Sequence, residues 1–172
     1  MASRMLRPAG FVIAGLLMFM PFIAVSCDVP GGFGRAAPGG TTKYTGFDLT
    51  FGGEPTVEPA DKIREGAPET LAPQPLAILL LLLLLAGIAV TIRVSHKLLR
   101  RATIALLSGV AAICLTVNQI SVQTQLEERV PAKYVQNQPG FWLCLSTLLV
   151  VLFANAIGWL RTAAEQAHSQ SK

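Results

Sequence analysis

Seven consecutive leucines at 79–85 stand inside a run, 70–92, that holds no Asp, Glu, Lys, Arg or His. A charge-free stretch of about 20 residues is the length an α-helix needs to cross a hydrocarbon core about 30 Å thick. Three further runs, 8–27, 102–126 and 134–160, are also free of charge. The pattern predicts helices near 8–27, 75–92, 102–122 and 140–160. The third weakens toward its end, where Asn118, Gln119 and Gln123 appear. Only 14% of residues are charged, against 52% hydrophobic. Soluble domains usually carry about 25% charged residues, so the composition agrees with a membrane protein. It excludes a chain that is disordered throughout, and three Cys are too few for a disulfide scaffold.

Orientation follows from Lys and Arg in the short flanks. Arg4, Arg7, Arg93, Lys97, Arg100, Arg101, Arg161 and Lys172 fall on one side, with Glu165 as the one acid. The opposite side, 28–74 plus 123–139, carries six basic and nine acidic residues. Both termini are therefore expected in the cytoplasm. The segments are 1–27, a cytoplasmic N-terminus and first helix or a signal; 28–74, external; 75–92, a helix; 93–101, a basic cytoplasmic loop; 102–122, a helix; 123–139, an external loop; 140–160, a helix; and 161–172, a cytoplasmic tail. Trp142 and Trp159 lie 17 residues apart, or about 26 Å along a helix, which places one at each membrane interface. The basic run of 93–101 reads as a topology signal. A nucleic-acid partner would need a clustered basic surface with aromatic or helical support.

The first segment admits two readings. Ala24-Val25-Ser26-Cys27 resembles a lipobox, where Cys27 would be lipidated after cleavage, but Ala24 stands where that pattern prefers Leu. The preferred reading is a retained helix with Cys27 at the outer interface and a kink at Pro21. Residues 28–74 hold nine Gly and six Pro, so they cannot form one long helix. In Thr41–Phe51, Gly46 separates two short β-prone runs, and Phe47, Leu49 and Phe51 alternate with Asp48 and Thr50; the period of two predicts one or two short strands over the outer ends of the helices. Gly32-Phe-Gly34-Arg-Ala-Ala37 fits a dinucleotide-binding pattern, but Pro30 precedes it and Pro38 follows, where that fold requires a strand and a helix. A glycine-rich turn is the better account.

The four runs contain no ionisable residue of the kind that coupled transporters use. They hold no His for haem and no His and Cys at metal-ligand spacing. Cys27, Cys114 and Cys144 are widely spaced, with the last two inside apolar runs. No catalytic, cofactor or metal site is expected, and the chain is read as no enzyme. Packing chemistry is what the runs offer. Ala105, Ser108, Ala112, Thr116, Gln119 and Gln123 share one stripe of the third helix. Thr147, Val151, Ala154, Asn155 and Gly158 share a face of the fourth. Small, weakly polar faces let helices approach and hydrogen-bond, either within the chain or with another protein.

Pro21-Phe-Ile-Ala-Val-Ser-Cys27 at a helix end, followed by Tyr44-Thr-Gly-Phe-Asp-Leu49 and three more helices, resembles a group of small uncharacterised bacterial four-helix integral membrane proteins. In these a P-F-x-x-V-S-C-like helix end precedes a glycine-rich external segment. The resemblance implies topology alone and carries no functional residues. The fold expected is an all-α membrane protein, four transmembrane helices with a small loop-rich, partly β external segment, in the inner (plasma) membrane. The function expected is that of a non-catalytic accessory or assembly subunit whose partners are the lipid bilayer and other membrane subunits. A small-molecule or lipid transport component, favoured by any apolar groove open to lipid, and a lipoprotein-like sensor are the alternatives.

Overall fold

The computed structural model describes residues 8–26, 36, 39–59 and 71–170, the last four by backbone alone. Among them, three helices are long and apolar enough to cross a membrane. They are α3 (Pro75–Arg93), α4 (Lys97–Glu127) and α5 (Pro139–Gln170). Two of the three start where the chemistry favours it. Pro75 and Pro139 open α3 and α5, where a missing N–H costs no helical bond. The leucine run gives α3 the highest mean hydropathy of the three, 2.8. Helix α4 starts ahead of the predicted 102, and past 122 it continues outward to Glu127, as the uncharged polar run ahead of Pro131 leads one to expect. Its outer turns keep an inward apolar edge, Val122 and Leu126, both fully buried.

The first charge-free run is not one long helix. It forms α1 (Ala9–Leu17) and then strand β1 (Pro21–Ser26). Nine residues make about 14 Å of helix, roughly half a hydrocarbon core. Pro21 ends the helix outright where a kink was predicted. The N–H groups of Met18, Phe19 and Met20 bond three residues back, to Gly15, Leu16 and Leu17, a tightening last turn. Beyond Pro21, Ile23 and Val25 favour an extended backbone. Cys27 lies outside the described residues.

A four-stranded antiparallel sheet caps the outer ends of the helices. Strands β2 (Thr41–Thr45), β3 (Thr56–Glu58) and β4 (Val135–Asn137) join β1 in the order β3-β2-β1-β4. Ile23 stands opposite both Tyr44 and Asn137, so β1 is an interior strand, as is β2. Phe22, Ile23 and Val25 are at most 1% exposed. Of the two β-prone runs either side of Gly46, the first is strand β2 as expected, whereas 47–51 is a short helix, α2 (Gly46–Phe51). Its Thr45 side chain accepts from the Asp48 N–H while the Asp48 carboxylate accepts from the Thr45 N–H, a complete capping box. Gly52 closes it at φ 72°, a left-handed cap that suits glycine. Helix geometry turns Leu49 into the core and leaves Phe47 outside, stacked on Phe19 and in tilted contact with Phe51. Bonds from Phe47 N to Met18 O and from Gln74 N to Leu49 O tie α2 to the ends of α1 and α3.

Helix α1 wedges between α3 and α5, and α4 packs on both from the other side. The approach is close. A Cβ at Gly87 would lie 2.6 Å from the Phe11 ring, so only glycine admits this contact. The Cys144 thiol faces the carbonyl of Ala14 at 3.7 Å.

Candidate functional site

Along the outer side of the α4–α5 pair runs an apolar trough. One half, about 470 Å³, is lined by Ala102, Ala105, Leu106, Gly109, Leu152, Ala156 and Trp159 among others. The other half, about 500 Å³, is lined by Ala112, Thr116, Val117, Leu145 and Leu149. Gly109, Ile113 and Leu152 belong to both halves, which makes the trough continuous. Residues 102–116 cover about 21 Å of helix rise, two-thirds of a hydrocarbon core. The floor is shallow because α4 presents Ala or Gly at 102, 105, 109 and 112 and α5 presents Ala156. The rim is made of larger side chains left exposed, with Leu106 at 67% and Ile113 at 65%.

The predicted packing stripe on α4 divides. Ser108 and Gln119 turn inward and are buried; Ala105 and Thr116 are half-buried and line the trough, with the buried Ala112. The hydroxyls do not bond across helices as predicted. Ser108 donates to Ile104 O at 2.8 Å and Thr116 to Ala112 O at 2.9 Å, each within its own helix. Gln123 likewise stays local, donating to Glu127. Gln119 does bond across elements. Its amide donates to Asn137 Oδ1 at 2.7 Å and to Phe22 O at 3.3 Å, fixing α4 to both β4 and β1.

The face predicted on α5 also divides. Ala154 is exposed, and Asn155 donates to Val151 O of its own helix. Gly158 receives a partner that the sequence reading had assigned to topology: Arg101 donates to Gly158 O at 2.6 Å and to the Thr162 hydroxyl. A Cβ at 158 would stand 3.1 Å from Arg101 Nε, so the small residue makes room for the guanidinium. Sequence spacing held no sign of this pair, 57 residues apart. Gly109, Leu152 and Ala156 were also passed over. An alternation of small residues at 102, 105, 109 and 112 was the available signal for the trough.

Among the described residues no group of three His, Cys, Asp or Glu side chains could hold a metal. Cys114 and Cys144 are free and buried, packed as small apolar residues. Among the described residues the trough's one lining hydroxyl, that of Thr116, is bonded to Ala112 O, so what the trough offers chemically is shape and largely apolar surface. No protein-family model matches the chain, and no curated protein or solved structure matches it either. The class therefore rests on the fold: a mostly helical, multi-span membrane protein with, among the described residues, three membrane-length helices, a half-length helix ahead of them and a small four-stranded sheet at one end.

Proposed function

We propose that this chain is a non-catalytic accessory or assembly subunit of a larger membrane complex, and that the α4–α5 trough receives a transmembrane helix of another subunit. The carrying observation is the trough's floor of Ala102, Ala105, Gly109, Ala112 and Ala156. Lipid tails are as apolar as leucine, so helices associate in membranes through close backbone approach, which small residues permit. A floor of this kind suits a helix more than a flexible acyl chain, which gains nothing from backbone proximity. The trough's length and wholly apolar rim match a spanning segment. Kinship with the small bacterial four-helix proteins and residence in the inner membrane belong to the same proposal. A lipid-handling role is the second reading, and the openness of the trough to lipid favours it.

The Gly109→Leu variant separates folding from association. A Cβ at Gly109 would meet Leu152 at 3.6 Å, an ordinary contact, so the variant should fold with its thermal stability within a few degrees of wild type. A leucine side chain filling the trough should lower recovery of the partner subunit from gentle detergent about 10-fold or more, as overpacking of about 1–3 kcal/mol implies. Unchanged recovery of every co-purifying membrane protein would contradict the reading.

The charge bias further places Gln136 outside and Ser95 in the cytoplasm; both are exposed. Thr50 is fully buried, its hydroxyl bonded to Gly46 O, and would make a poor reporter. Single cysteines at 136 and 95, in a background without the native cysteines, should react with an impermeant thiol reagent in intact cells at 136 alone. The reverse pattern would invert the orientation.

A further inference from the structure

The turn between α3 and α4 is only Val94, Ser95 and His96, and it folds three cations around one cavity. Arg93 from the end of α3, and Lys97 and Arg100 from the first turn of α4, line a recess of about 520 Å³ together with Thr91, Ile92, Val94 and Ser95. Among the described residues no carboxylate lines it. Arg100 is steadied by donating to Val94 O at 3.3 Å. Among the described residues, neither Arg93 nor Lys97 forms a salt bridge or a side-chain hydrogen bond. The His96 side chain does not cap α4, so the helix's leading amides add to the positive field.

We propose that this recess binds a phosphate anion, as carried by the headgroup of an anionic phospholipid. A loop that merely sets topology needs positive charge in the flank, spread in any arrangement. Three cations converging on a concave site is more than that requirement. Basic pockets at the cytoplasmic ends of helices hold anionic headgroups in this way. Below the recess the exposed side of α3 continues as one apolar stripe, Ile78, Leu82, Leu85, Ala89 and Ile92, within roughly 80° of the helix circumference. Ile92 belongs to both the stripe and the recess. A headgroup seated among Arg93, Lys97 and Arg100 would lay its acyl chains along that stripe. The site lies apart from the α4–α5 trough and does not depend on it.

The test uses the full chain in detergent, with added dioleoylphosphatidylglycerol, dioleoylphosphatidylcholine or inorganic phosphate. Native mass spectrometry counts retained lipid and thermal unfolding reads stabilisation. Phosphatidylglycerol should be retained in preference to phosphatidylcholine and should raise Tm. The paired variant Arg93→Gln/Lys97→Gln should weaken its binding about 30-fold, since each cation near an anionic surface contributes roughly a fivefold step. Arg161→Gln, an exposed cation elsewhere on the same side, should leave binding unchanged. Stabilisation by millimolar inorganic phosphate that the paired variant abolishes would also support the site and make its occupant a soluble phosphate. Equal retention of the two lipids without a phosphate effect, or an equal loss in Arg161→Gln, would overturn it.

Discussion

Replacing Phe11 by Ala should destabilise the protein by about 2 kcal/mol and loosen α1 from the bundle. The ring is 1% exposed and fills the notch that Gly87 leaves in α3. In water such a truncation typically costs about 3–5 kcal/mol, part of it for apolar surface returned to solvent. Within a membrane that part largely vanishes, because lipid is as apolar as the core. The cavity remains: about 100 Å³ of lost side chain at about 24 cal/mol per Å³ gives the figure above. The reciprocal change, Gly87→Ala, should cost about 1–3 kcal/mol by forcing a methyl into three ring atoms within 2.7 Å. Combining Gly87→Ala with Phe11→Leu should recover part of that loss. Reversible unfolding in mixed micelles measures all four proteins. A Phe11→Ala variant as stable as wild type would mean that α1 is not wedged against α3.

Gly140→Ala should also be costly, for a different reason. Its Cβ would stand 2.5 Å from the Pro21 carbonyl and 2.9 Å from Met20 Cβ. A backbone oxygen cannot step aside as a flexible side chain can. Either the start of α5 or the turn between α1 and β1 must shift, at about 1–3 kcal/mol. The adjoining bond from Gln138 N to Phe22 O would weaken with it. Gly15→Ala is the matched control: nothing lies within 4 Å of its Cβ position, so it should be neutral or slightly stabilising. Thermal midpoints in one detergent compare the two variants, and equal midpoints would remove the close approach of α5 to β1.

The membrane-length helices were legible because a bilayer imposes length and apolarity on a segment directly. The Leu79–Leu85 run needs no partner to declare itself. The end of α1 was not legible. Pro21 signals a kink and a stop equally well, and Phe22, Ile23 and Val25 are as apolar in a strand as in a span. What settles the matter is pairing with Tyr44, Thr42 and Val135, residues far along the chain. At 47–51 the period-two pattern misled, whereas Thr45 and Asp48, three apart, already spelled a capping box. Arg101 carried a charge that topology explained in full, which hid its bond to Gly158. The trough was half legible. The small residues of α4 stood out, but the register that sets Gly109 opposite Leu152 and brings Ala156 to the floor depends on how two helices lie together.

Site-specific photo-cross-linking in native membranes tests the assembly role most directly. A benzoylphenylalanine at Ile113, 65% exposed on the trough's rim, is compared with one at Leu82, 57% exposed on α3. The account predicts a discrete protein adduct from position 113, its linked peptide lying within an apolar span of the partner, and lipid adducts alone from position 82. Lipid adducts alone from both positions, or the same protein adduct from both, would contradict it.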